Sequence, residues 1–175
     1  MRGNGRLLLL VFLFALPACS IRYVPTEYPL DQGDVPPFDL AGTVSVVNAQ
    51  PSTASVTVTS SWAGGFLVSS DSDLHAVTEV MVQQTTKEIA KNARRLNGGS
   101  AKTIELAVLE LKSNYVAFFF RSHIRYTAKL GSGKTISKEV GHGHADQLSD
   151  LNGAIAEGVI DLLKDPDLRQ YLASP

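Results

Sequence analysis

From Thr103 to Val140, apolar and polar positions alternate with a period of two in three successive runs. They read TIELAVLEL, VAFFFRSHIRYTAKL and TISKEV, separated by KSNY and GSGK. Such alternation predicts three half-buried strands joined as an antiparallel meander. In the middle run Val116, Phe118, Phe120, Ile124, Tyr126, Ala128 and Leu130 share one face, interrupted by Ser122. Arg121, His123, Arg125, Thr127 and Lys129 share the other. A three-residue turn at Ser113, Asn114 and Tyr115 sets Glu110 across from Phe118, Val108 from Phe120, Leu106 from Ser122 and Ile104 from Ile124. That register sorts Ile104, Leu106 and Val108 onto the aromatic face and puts Glu105 opposite His123. It leaves Leu109, Leu111, Ala117 and Phe119 on the polar face, so the hairpin tip is apolar on both sides. Another part of the chain, or a partner, must cover it.

Before the meander, Leu40, Val44 and Val46 predict a strand within Phe38 to Gln50, with Val47 shifting the phase. Val56 and Val58 alternate with Thr57 and Thr59 in a short strand or edge arm, and Gly64-Gly65 marks a turn. Trp62 beside that turn reads as a plug for the end of the core. The stretch Ser69 to Asp73 offers caps for a helix running to about Leu96. Leu74, Val77, Met81, Ile89, Ala93 and Leu96 form its apolar stripe, with Thr85 in the middle. Gln83, Gln84, Lys87, Glu88, Lys91, Arg94 and Arg95 take its wet side, and Gly98-Gly99 ends it through positive φ. A last helix starts near Ser149 with a stripe of Leu148, Leu151, Ile155, Val159 and Leu162. Gly153 and Gly158 each cost about 1 kcal/mol inside a helix, which predicts a close approach to another backbone. Asp165-Pro166 stops this helix and starts a short turn that folds Leu168, Tyr171 and Leu172 back on the core. The sum is an α+β domain spanning 38–175. An antiparallel sheet of about four strands carries two long helices on its Phe118/Phe120 face, in the order strand, helix, three-strand meander, helix. An alternative places the helices on different faces.

The amino end has its own grammar. Arg2 and Arg6 precede LLLLVFLFAL, an apolar run too short for a bilayer span, which needs roughly 20 residues. Residues 1–18 are therefore expected to be a signal peptide. The run ends in Leu16-Pro17-Ala18-Cys19, which resembles the bacterial lipobox. The resemblance implies acylation of the Cys19 thiol, cleavage after Ala18, and anchoring in the bilayer through two or three acyl chains. Ser20, rather than an aspartate, follows the cysteine, which favours the outer membrane and its periplasmic face over the inner membrane. Pro25, Pro29, Pro36 and Pro37 make 19–37 an acylated cysteine and a tether that holds the domain off the membrane.

Charge and composition narrow the chemistry. The chain has 175 residues with 16 basic and 17 acidic side chains. Without Arg2 and Arg6 the balance is 14 against 17, a formal charge of −3. That excludes the basic field of a nucleic-acid binder. The single cysteine forbids an internal disulfide. Gly131-Ser132-Gly133-Lys134 looks like the end of a phosphate loop but sits between strands, so it reads as a hairpin turn. His142 and His144, with Asp146 and Glu139 nearby, are the one ligand-like cluster. Flanking glycines make it a solvated connection rather than a metal site. Glu105 with His123 reads as a cross-strand pair rather than a catalytic dyad, with Ser122 on the opposite face. No catalytic residue, metal or cofactor is expected, and the chain reads as non-enzymatic.

The lipobox at Leu16–Cys19, the early strand near Leu40–Val47, the helix to Leu96, the meander and the ending LNGAIAEGVIDLLKDPDLRQYL are together similar to YajG-type lipoproteins. They are more loosely similar to LptE-like and transport-auxiliary lipoproteins. Where that family carries a glycine followed by an aromatic before the meander, this chain has Gly98-Gly99-Ser100-Ala101. The resemblance implies an accessory, non-catalytic role in envelope assembly or transport with an envelope protein as partner. The expected contact surface is the hairpin tip (Leu109, Leu111, Phe119) with the basic strip (Arg121, Arg125, Lys129). The alternative function is carriage of a lipid or glycan.

Overall fold

The computed structural model describes residues 19–51, 55–63 and 66–175. Residues 1–18, on which the signal-peptide expectation falls, and Gly64-Gly65 lie outside the described residues, as does the side chain of Trp62. The chain is α+β. In order come β1 (Cys19–Arg22), β2 (Phe38–Asn48), β3 (Ser55–Ala63), β4 (Phe66–Asp73), α1 (Leu74–Asn92), β5 (Ala93–Val116), β6 (Phe119–Leu130), β7 (Thr135–His144), α2 (Gln147–Lys164) and α3 (Pro166–Ala173). The expected order of strand, helix, meander and helix is present; the short strand around Val56 and Val58 is β3 and the turn after Asp165-Pro166 is α3, while β1 and β4 are additional. The described strands form one seven-stranded sheet ordered β1-β4-β3-β5-β6-β7, with β2 beside β5. It is mixed rather than antiparallel throughout. The β3–β4, β5–β6 and β6–β7 pairs are antiparallel, while β1–β4, β2–β5 and the short β3–β5 contact are parallel.

The 24-residue β5 is the spine. It starts directly after α1, so the helix ends at Asn92 and not near Leu96. Gly98 and Gly99 do have positive φ, 78° and 103°, but they bend β5 rather than cap a helix. The bend meets Gly42, itself at φ 77°, where the β2–β5 register shifts between Ala41 and Thr43. A Cβ on Gly99 would stand 2.6 Å from the Ala41 carbonyl carbon and the Gly42 nitrogen, so only glycine fits there.

The meander register differs from the one read off the sequence. Ile104 faces Leu130, Leu106 faces Ala128 and Val108 faces Tyr126; beyond a bulge at Leu109, Leu111 faces Ile124 and Val116 faces Phe119. The turn is the two-residue Ala117-Phe118, both left-handed (φ 49° and 75°), as a tight hairpin requires. The bulge resets the phase of β5. Residues 102, 104, 106 and 108 are buried before it, and 111 and 113 after it. Side chains satisfy the backbone at the bulge: Val108 N–H donates to Thr78 Oγ1 (3.0 Å) and the Gln50 amide donates to the Val108 carbonyl (2.6 Å).

Both long helices lie on one face, against the inward residues of β5, β6 and β7. Val77, Met81 and Ile89 of α1 and Leu151, Ile155, Val159 and Leu162 of α2 join Ile104, Leu106, Ile124 and Tyr126 in one core. Phe118 is not on that face; it projects from the turn at 82% exposure. Gly158 faces Met81 and Tyr126, and Gly153 faces the His142 ring, so side chains rather than backbone fill the space the glycines leave. Asp165 closes α2 and caps α3, accepting from the N–H groups of Asp167 and Leu168. Leu168 and Leu172 are buried as expected.

The Pro-rich segment does not stand off as a tether. Tyr23 and Val35 are in the core, and the Tyr23 N–H extends the β1–β4 ladder to the Asp71 carbonyl (2.8 Å). The segment crosses α1, where Gln84 donates to the Tyr28 carbonyl (2.6 Å) and Lys87 pairs with Glu27 (2.7 Å). Gln84 is therefore buried rather than on a wet side. Among the described residues no helix is long and apolar enough to cross a membrane.

Candidate functional site at one end of the sheet

The strand directions bring several apolar segments to the same end. β5 climbs to Val116 and β6 descends from Phe119. β3 runs parallel to β5, with Thr59 level with Ser113, and ends at Ala63; β4 returns from Phe66. β1 runs parallel to β4 with Cys19 level with Val68, so the backbone of Cys19 starts at this end too. β7 also finishes here, His144 pairing with Phe120, and α2 begins a few residues on.

Five of the exposed large apolar side chains gather at this end: Tyr115, Val116, Phe118, Phe119 and Leu148. Leu148, read from sequence as part of the α2 core stripe, is 55% exposed. The Tyr115 and Phe120 rings pack across the strands, tilted by 53° with centroids 5.0 Å apart, and hold the tip together. No glycine or asparagine eases the left-handed turn. Ala117 and Phe118 adopt it at a cost on the order of 1 kcal/mol each, and the result is an outward-pointing phenyl ring.

The contact residues expected from sequence divide into separate groups. Phe119 belongs to the tip. Leu111 is 2% exposed, because the bulge turns it inward, and is not available to a partner. Leu109, the bulged residue, stays on the outer face and borders a cleft of about 270 Å³ with Val56, Leu74, Glu110, Lys112 and Arg125. Arg121, Arg125 and Lys129 are all exposed on the helix-free face of β6. Arg125 is paired with Glu110 (2.8 Å) and Lys129 with Glu105 (3.1 Å). The Lys112 hydrogen bond, with the charge of Arg125 behind it, holds the Glu110 carboxyl below the usual carboxylate range. Glu105 thus meets Lys129, and His123 lies across from Lys112; the two do not meet.

Beneath the tip sits a polar cluster that sequence reasoning missed. Asp150 of α2 is fully buried, and its Oδ2 accepts from Ser113 Oγ (2.7 Å) and from Ser122 Oγ. Its Oδ1 faces His142 Nδ1 at 3.5 Å. Serine, histidine and aspartate are present, but the carboxylate stands in the middle. Both hydroxyls donate to Asp150, so neither is set against a base that would activate it. The cluster ties β5, β6, β7 and α2 together at the base of the tip. A signal was available: Ser113, Ser122 and Asp150 are polar residues at positions whose neighbours in phase are buried.

His142 and His144 stack 6.4 Å apart on one face of β7, while Glu139 is on the other. His144 Nδ1 accepts from the Asp146 N–H (3.0 Å). Among the described residues no three His, Cys, Asp or Glu side chains come together as a metal site. Compared with models of protein families and with curated proteins, the chain matches none.

Proposed function

We propose that this chain is a lipoprotein anchored by acylated Cys19, facing the periplasm from the outer membrane. There it would serve as a non-enzymatic binding or accessory component of an envelope assembly or transport system, the role implied by its likeness to YajG-type proteins. The observation that supports this best is that the Cys19 backbone and the apolar hairpin tip stand at the same end of the sheet. An anchor there leaves the rest of the domain projecting outward. The surface assigned to a protein partner is the helix-free face at Arg121, Arg125 and Lys129, next to Leu109. Its charges are spread over a flat sheet and suit an acidic or polar surface better than a deep pocket.

The test is the mass of the mature chain purified from membranes of a Gram-negative host. A diacylglyceryl cysteine at position 19 with an acylated amino end is expected, lost in Cys19→Ser. A free thiol at position 19, or cleavage elsewhere, would sink the anchor reading. For the partner face, Arg125→Glu combined with Lys129→Glu, both away from the tip, should abolish partner recovery from crosslinked membranes. Unchanged recovery by the folded variant would remove that face from consideration.

A further inference from the structure

The tip of the β5–β6 hairpin is larger in apolar content than a turn needs, and among the described residues nothing covers Phe118, Phe119, Tyr115 or Val116. We infer that it docks in the lipid surface, as a second contact beside the Cys19 anchor, and so fixes how the domain stands on the membrane. The inference rests on the anchor reading only for the orientation of Cys19.

Position carries the argument. Cys19 starts β1, and three strand spacings separate β1 from β5, about 15 Å at roughly 4.8 Å each. Cys19 and the tip are at one level of the sheet, because Cys19 pairs with Val68, Val68 with Ser61, and Thr59 with Ser113. A bilayer that receives an acyl group at Cys19 therefore lies beside the Phe118 ring.

Composition agrees with position. The outermost residues are Phe118 and Phe119, then Tyr115 and Val116, with Leu148 from α2 alongside. Behind them stand Arg121 and Lys112, both exposed. Aromatic rings outermost and cations one step further back match the layering of a membrane interface, where rings sit at headgroup level and cations meet phosphates. Of the carboxylates near this end, Asp146, the cap of α2, directs its charge to the Ser149 N–H (2.8 Å), Asp150 is buried among hydroxyls, and Glu110 lies further back, paired with Lys112 and Arg125. A two-residue convex turn offers far less than the roughly 800 Å² per partner of a stable protein interface. It suits insertion between lipids.

The test replaces Phe118 with p-benzoylphenylalanine in the full chain, in cells, with the same substitution at Ser132 as control. Ser132 is exposed in the β6–β7 turn at the opposite end of the sheet. After irradiation, phospholipid adducts at position 118 should exceed those at position 132 by about tenfold or more, as the burial of one ring would give. Equal lipid adducts at both positions, or none at 118, overturn the inference. A discrete protein adduct at 118 without lipid also overturns it and assigns the tip to a protein. The intact mass of the same sample reads Cys19 separately. An unacylated chain that still gives the 118 lipid adduct loses the anchor and keeps the tip; an acylated chain without that adduct does the reverse.

Discussion

Replacing Phe118 with glycine should make this protein more stable. Phe118 has φ 75° with a side chain 82% exposed. For a residue with a Cβ, the left-handed region costs about 1–2 kcal/mol, which glycine does not incur. Glycine loses more freedom on folding, which takes back roughly 0.5–1 kcal/mol. The lost ring contacts are few, since less than a fifth of the side chain is covered. The net expectation is a gain of about 0.5–1 kcal/mol, or roughly 1–4 °C in Tm for a domain of this size. Urea unfolding of the purified protein without a bilayer reads it: the midpoint should rise while the slope stays fixed. The same variant should lose lipid contact at the tip. A midpoint that falls by 1 kcal/mol or more would refute the reasoning. It would mean that Phe118 packs against the domain, and that the strained turn serves the fold rather than an outside surface.

Asp150→Ala should cost about 3 kcal/mol, because Ser113 and Ser122 would be left as buried hydroxyls without their acceptor; urea unfolding measures it, and a loss under 1 kcal/mol would show that the cluster is dispensable. Gly99→Ala should cost roughly 2–4 kcal/mol through the clash with Ala41 and Gly42, with hydrogen exchange rising first in β2; an unchanged midpoint would contradict the close approach. Burial pushes the Asp165 carboxyl up, but the Lys138 ammonium (3.0 Å) and the N–H groups of Leu168 and Asp167 outweigh it and leave it below the usual carboxylate range. A lowered folded-state value contributes stability above the unfolded value, near pH 4, and loses it as pH falls further. Wild type should thus lose more Tm than Asp165→Asn between pH 5 and about pH 2.5, and equal losses would exclude Asp165 as a source of acid sensitivity.

The fold class, the meander and the two long helices were legible because each rests on a period that burial enforces: two on β6 and β7, near 3.6 on α2. The misreadings trace to single residues that break a period. On β5 the pair Val108-Leu109 puts two apolar residues side by side, which is the mark of the bulge. Reading through it without a phase shift moved Leu111 to the wrong face. Glycines at 98 and 99 announced positive φ correctly, but a bent strand and a helix stop ask for the same conformation. Gln84 was unreadable from α1 alone. It is polar because the Tyr28 carbonyl of the crossing segment needs a donor, and that segment looked like a linker by its prolines. Prolines forbid a central strand; they do not forbid Tyr23 and Val35 from packing into a core.

These departures are not scattered at random. The bulge at Leu109, the left-handed Ala117-Phe118 and the buried Asp150 cluster all belong to the upper half of β5–β6 and what touches it. Each is a local choice that lowers stability relative to a simpler one: an unbroken ladder, an Asn-Gly turn, an apolar core contact. Sequences selected for folding alone tend to agree across levels, and exceptions collect where something else is selected. The bulge and the polar cluster each bring their own partners, Thr78 and Gln50 for one and two serines for the other. The turn brings none, since the ring it carries faces away from the domain. Among the described residues nothing compensates for Phe118. Docking of this end in the membrane, as proposed from its sharing a level with Cys19, would supply that compensation.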